Sequence, residues 1–251
     1  MKRGFTLIEL LVVISIIALL IGILLPALSS ARRTAMTIKC LSQIRQLEIA
    51  HYAYVIDNDG ELIQANLAHG GAAHGSHEPW TETLAKDYGV DVVLRSPVDD
   101  SPHWGPHPEG DPIPGSSNDR RRMTSYGIND FLDSELVAWG PWGMGSVDGH
   151  YTMDNVRQPT GVVHFVMMTF EGEYAGSDHG HVSAWATSAT AHLAPKNAAK
   201  QYAIGAHGGP KDEKGSISNW GYLDGHAETS TFETVYVSPT ENRFDPMVVG
   251  K

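Results

Sequence analysis

Gly4-Phe5-Thr6-Leu7-Ile8-Glu9-Leu10-Leu11-Val12-Val13-Ile14 opens the stretch whose reading decides the fold, and Phe5–Leu25 (FTLIELLVVISIIALLIGILL) completes it. These 21 residues carry one charge, Glu9. As a helix they span roughly 31 Å, enough for a bilayer core. Lys2 and Arg3 place the N-terminal end in the cytoplasm by the positive-inside rule. Arg32, Arg33 and Lys39 lie beyond the other end and argue the opposite way, so charge counting alone leaves orientation open. A cleaved secretory signal fits poorly, because the apolar run is too long and Leu24-Leu25-Pro26-Ala27-Leu28 lacks a small-x-small site. A plain signal anchor leaves Glu9 unexplained, since an ionisable residue in a span costs about 3 kcal/mol and usually has a partner.

Beyond the span, Pro26 removes a backbone donor and is expected to kink or open the helix locally. From there Ala31, Ala35, Ile38, Leu41, Ile44, Leu47, His51 and Tyr54 recur at spacings of three or four. That spacing predicts an amphipathic helix over 26–56 whose apolar stripe buries against a globular domain. Cys40 and His51 read as packing or surface residues, not as ligands. Asp57-Asn58-Asp59-Gly60 reads as a helix-ending turn rich in Asx and Gly. An EF-hand loop counted from Asp57 would need Glu at its twelfth position, where Ala68 stands.

Charge separates the chain into two parts. Residues 1–45 carry six bases (Lys2, Arg3, Arg32, Arg33, Lys39, Arg45) against Glu9, and the remaining 206 residues carry 12 bases and 28 acids. An acidic domain of that kind lacks the basic face that phosphate binding needs, so nucleic acid is excluded as a partner. The single cysteine, Cys40, rules out an intrachain disulfide and a Cys-based zinc finger. The 26 Gly and 14 Pro indicate a loop-rich domain.

Within 57–251, Gly70–Gly115 reads as long loops with one short helix near Trp80–Tyr88. Ser125–Asn129 is a short extended segment, and Trp139–Gly149 a Gly-rich surface loop. Gly161–Phe170 (GVVHFVMMTF) is the strongest strand candidate. Asn219–Leu223 and His226–Phe232 flank Asp224-Gly225, which predicts a β-hairpin with a type I′ turn. Thr234–Val237 is a candidate further strand.

Thirteen histidines invite a metal reading. The groups close in sequence are His69/His74/His77, His103/His107, His179/His181 and His207/His226. No HExxH occurs, and Pro106 and Pro108 rule out a helix carrying His103 and His107. Asp178-His179-Gly180-His181 offers ligands from a loop. No G-x-S-x-G, P-loop or G-x-G-x-x-G is present, so the expectation is no enzyme, no catalytic residue and no metal or other cofactor. The acidic loops leave Ca²⁺ as the one cofactor to consider, without a matching ligand set.

The N-terminal stretch resembles the cleavage and methylation signal of type IV prepilins and type II secretion pseudopilins: a basic leader ending in Gly, then Phe, an acid four residues on, and a long apolar helix. The resemblance implies cleavage after Gly4 by a prepilin peptidase and methylation of the new N-terminal Phe5. It also implies docking of Glu9 on the Phe amine of a neighbouring subunit. The chain also resembles prepilin-like proteins with a C-terminal "H-X9-DG" region, here 203–237. The matching pieces, in order, are Lys39-Cys40-Leu41 with Arg45-Gln46-Leu47, Tyr54 with Asp57-Asn58-Asp59-Gly60, Ser125–Asn129, the strand at Gly161–Phe170, Ala206-His207-Gly208-Gly209 and Leu223-Asp224-Gly225-His226. Two departures stand out. Sixteen residues separate His207 from Asp224, making Pro210–Ser218 look inserted, and Ser96-Pro97 stands where such proteins often have Cys-Pro. For the motif itself the expected role is structural, with Asp224-Gly225 making a turn and His207 hydrogen-bonding nearby backbone to hold a long loop.

Together these readings imply an α+β, pilin-like fold: leader 1–4, transmembrane helix 5–25, and a long helix packed on a small antiparallel β-sheet with long loop insertions. They imply a subunit of a type II secretion or type IV pilus-type filament, with prepilin peptidase and other pseudopilin subunits as partners. It would sit single-pass in the inner membrane with its C-terminal domain outside the cytoplasm, and in a periplasmic or surface filament after assembly. The competing expectation is a membrane-anchored binding module that never polymerises and uses Trp80, Trp104, Trp139, Trp142 and Trp185 as an aromatic surface.

Overall fold

The computed structural model describes residues 7–67, 78–90, 93–105, 110–115, 121–133 and 152–249. The chain divides into two compact units, Met1–Ile38 and Lys39–Lys251. Helix α1 (Leu7–Asp57) carries all the described residues of the first unit and opens the second. It continues through Pro26 without a break in the helix. Its end is built by the Asx-Gly turn expected there. Gly60 N–H donates to Val55 O at 2.8 Å, Asn58 N–H to Tyr54 O at 3.0 Å, and Asp59 adopts φ 53°. Asp57–Gly60 is thus a left-handed helix stop, with Asn58 Nδ2 also bonding Tyr54 O at 2.8 Å.

In the second unit, α2 (Trp80–Tyr88) spans the expected residues and stops at Gly89, whose φ of 67° is left-handed. The main sheet is built from β1 (Tyr126–Asn129), β2 (Val163–Met167), β3 (His179–Gly180), β4 (Ile217–Tyr222) and β5 (Ala227–Thr231). Their order across the sheet is β3-β1-β2-β4-β5. Helix α3 (Ala194–Ala198) precedes β4, and the one-turn helix α4 (Phe232–Val235) follows β5. A small second sheet pairs β6 (Tyr236–Ser238) with β7 (Glu241–Asn242). The candidate strand at Thr234–Val237 is therefore split between the end of α4 and the start of β6.

The fold class is α+β, as expected, but the main sheet is mixed and not purely antiparallel. β1 pairs in parallel with β3, Ile128 opposite His179, while the β1–β2, β2–β4 and β4–β5 pairs are antiparallel. β1 and β2 are buried along their full length, as central strands covered on both faces must be. β5 (AETST) lies at an edge and leaves its polar residues partly exposed.

Each face of the sheet has its own core. On one side Cys40, Ile44, Leu47 and Ala50 of α1 pack with Trp80, Tyr126, Ile128, Phe165 and Met167. On the other, Val163, Val166, Met168, Trp185, Tyr202, Trp220, Phe232 and Phe244 form an aromatic-rich cluster. Val163 and Val166 share a core although an even spacing is what puts strand residues on one face. The register of β2 against β4 shifts between Val163 and Val166, and this bulge swings His164 and Phe165 together toward α1.

Candidate functional site

Gly4 and Phe5 lie outside the described residues. Glu9 sits in the first turn of α1, where a carboxylate is favoured by the free N–H groups and the helix dipole. Around and beyond it, the large apolar side chains from Leu7 to Leu28 are 46–79% exposed. The hydroxyls along this half fold back onto the helix: Ser15 donates to Leu11 O at 2.8 Å, Thr34 to Ser30 O and Thr37 to Arg33 O. Those three hydroxyls are satisfied within the helix, which leaves Glu9 as the charged group of its apolar stretch, and the segment is long and apolar enough to cross a membrane.

The His207 and Asp-Gly motif does not gather into one place. Gly208 and Ile217 form a bridge, and the His207 backbone N–H donates to Ile217 O at 3.0 Å, so His207 lies at the start of β4. Asp224-Gly225 lies past the other end of β4, about 20 Å away at the usual strand rise. The expected hairpin is present, with a different turn. Gly225 N–H donates to Tyr222 O, Tyr222 N–H to His226 O, and only Gly225 (φ 92°) is left-handed. This is a three-residue loop ending in a bulge-type glycine, where a type I′ turn would need Asp224 left-handed too. Asp224 closes the loop by accepting from His226 N–H and pairing with the His226 ring, which stacks on Tyr222 at 4.2 Å. His207 thus bonds backbone through its own N–H, while its ring makes no hydrogen bond among the described residues. Its burial pushes its pKa down to about 4.

The acids near β3 serve as internal acceptors. Asp178 takes N–H groups from Asn66 and Leu67 at 3.1 and 3.0 Å and pairs with His179 Nδ1 at 3.0 Å. Asp133 takes the Ala65 N–H at 2.7 Å, and Asp130 the Val182 N–H at 3.0 Å. Asp99 holds the buried Arg122 at 2.7 Å, and Arg122 also donates to Met168 O, Thr169 O and Ala175 O. His69, His74, His77 and His107 lie outside the described residues, while His103 Nδ1 bonds Asp111 O. The aromatic-surface reading loses two of its members. Trp80 and Trp185 are fully buried in the two cores, and Trp139 and Trp142 lie outside the described residues. Trp104 lies under Arg95, 4.8 Å from its guanidinium.

A further group was missed in the sequence. Glu48 and His51, one turn apart on α1, meet His164 from the bulge of β2, and all three are buried. Glu48 Oε2 lies 2.9 Å from His164 Nδ1, and Glu48 Oε1 accepts the Phe165 N–H at 3.1 Å. The rings of His51 and His164 are 4.2 Å apart. Ile63 N–H reaches His51 Nε2 only at 3.4 Å, a long contact that constrains the ring little. His51 Nδ1 and His164 Nε2 have no hydrogen-bond partner among the described residues. Leaving such groups unmet costs about 1–3 kcal/mol each. Burial drives all three toward neutrality. It raises Glu48 well above the usual carboxylate range, a shift the Phe165 N–H opposes, and lowers His51 well below and His164 to about 3. The sequence signal was an E-x-x-H pair on a helix. Its third member lies 116 residues from Glu48, beyond the reach of local spacing.

Compared with known families, residues 1–25 match the prokaryotic N-terminal methylation motif. No curated protein and no solved structure matches the chain. The match covers Gly4, Phe5 and Glu9 and ends before the globular unit, so it does not reach His207 or Asp224-Gly225. It makes the chain type IV prepilin-like at its N-terminus, which points to processing by a prepilin peptidase, pilin-type assembly and a structural protein.

Proposed function

We propose that the chain is a pseudopilin-like structural subunit of a type II secretion or type IV pilus-type filament. One observation carries this reading: the methylation motif at residues 1–25 runs into a helix, starting at Leu7 within it, whose apolar side chains are exposed on all faces through Leu28. Such a helix needs an apolar surrounding along its whole circumference. A membrane supplies it before assembly, and the helices of neighbouring subunits supply it afterwards. Cleavage after Gly4 leaves a charged amine on Phe5, and Glu9, four residues on, is the anion that receives the amine of the next subunit. That pairing offsets the cost of placing Glu9 in an apolar setting. The second unit stands outside the cytoplasm and needs no turnover chemistry in this role.

N-terminal mass spectrometry on protein recovered from its native membrane tests the processing step. The expected product lacks Met1–Gly4 and carries one methyl group on Phe5. An intact N-terminus in cells with active prepilin peptidase would refute it. Glu9→Ala tests assembly separately: membrane insertion persists while entry into filaments falls by a factor of ten or more. Unchanged filament entry would favour an anchored module that does not polymerise.

A further inference from the structure

We propose that Glu48, His51 and His164 form a buried site for a divalent transition-metal ion of the Zn²⁺ class, which ties the second half of α1 to β2. Four observations meet at this point. A ligand atom from each of the three residues lies within 4.8 Å of the others. Glu48 and His51 stand at i and i+3, on one face of the helix, the arrangement by which a helix presents two ligands to one ion. The bulge in β2 brings His164 to that face beside Phe165. Both rings are fully buried and each keeps a nitrogen without a hydrogen-bond partner among the described residues.

The donor set selects the ion. Two imidazoles and one carboxylate suit a borderline cation such as Zn²⁺, whereas Ca²⁺ and Mg²⁺ favour sets made wholly of oxygen. Cys40 Sγ lies against the Tyr126 hydroxyl at 3.4 Å, so the expected set contains no sulfur. A metal binds neutral imidazole and ionised carboxylate, and a dication would offset the burial of an ionised Glu48. Because the three side chains are fully enclosed, the ion enters while the domain folds, and its binding adds directly to the stability of the fold. This inference stands on the second unit alone and does not depend on filament assembly.

The test uses the full chain, purified in detergent with a tag free of histidine, after expression with added Zn²⁺. Elemental analysis should find one zinc ion per chain that survives dialysis. His51→Gln and His164→Gln should each retain less than about a tenth of that, while His207→Gln retains it fully. Unfolding the wild-type chain in chelator and refolding it should lower its melting temperature, and Zn²⁺ present during refolding should restore it. If the variants fail to fold, the wild-type chain decides: refolding with Co²⁺ should give the visible spectrum of a site with nitrogen and oxygen ligands and no thiolate band. Wild-type protein that refolds with neither retained Zn²⁺ nor a Co²⁺ spectrum, and melts at one temperature with or without metal, would overturn the site and leave a hydrogen-bonded core cluster.

Discussion

From Leu7 to Leu28, α1 exposes apolar side chains on every face, whereas from Cys40 to Val55 it buries Cys40, Ile44, Leu47, His51 and Val55 and exposes Ile49 and Tyr52. Both stretches are helical and both are rich in aliphatic residues. The first has no stripe, the pattern of a helix suited to a surrounding that is the same in all directions. The second has a stripe because a sheet covers one side. Apolar content does not tell what a helix packs against, but the periodicity of that content does.

The largest expected effect separates the two halves directly. Leu47→Ala removes a fully buried side chain and should cost the globular unit about 2–5 kcal/mol. Leu19→Ala, at a position 65% exposed, should leave that stability within about 0.5 kcal/mol. Denaturant unfolding of the full chain in detergent, read by the buried Trp80, Trp185 and Trp220, measures both. Equal losses would erase the distinction.

Gly221→Ala sharpens the comparison on the sheet side. An added Cβ would come within 2.5 Å of Glu48 Oε1 and 2.6 Å of Ile44 Cγ2. Overpacking of this kind should cost about 1–3 kcal/mol in the same assay, because the second half of α1 lies directly over β4. A neutral result would mean that this half of the helix can move away from the sheet.

The smallest effect concerns a residue remote from both halves in the argument. His207 has its pKa lowered to about 4 by burial, so the unfolded chain takes up its proton first as pH falls. Its contribution is fully present above the unfolded value near pH 6.5 and is lost as pH drops toward 4, up to about 1 kcal/mol by pH 5 after allowing for partial exposure. His207→Gln should flatten the stability profile between pH 7 and 5 by that amount. An unaltered slope would show that the ring is hydrated.

What the sequence revealed follows the same division. The N-terminal half was legible because its signal is local: an uninterrupted apolar run, one acid and a glycine-ended basic leader. Helix α2, the core of β2 and the Asp224-Gly225 hairpin were legible for the same reason. The parallel partner β3 was not, because two residues, His179 and Gly180, leave no periodic trace and are placed by Asp178 bonding to Asn66 and Leu67. The acidic balance also misled in part. Asp99, Asp133 and Asp178 are buried acceptors of N–H groups, where the sequence had offered the acidic loops to Ca²⁺. The Glu48, His51 and His164 group escaped because a bulge, which no spacing rule marks, turns His164 toward the helix.

Cys40 has a consequence of a different kind. Its thiol lies under the Tyr126 hydroxyl with no exposed surface, and burial raises its pKa. Only the thiolate reacts, so the closed domain is close to inert toward oxidants and alkylating agents. Outside the cytoplasm, where the proposed function puts this domain, that shielding keeps subunits from cross-linking through stray disulfides. It also makes the rate of Cys40 labelling a clock for the opening of the core between α1 and β1, with no probe added to the chain.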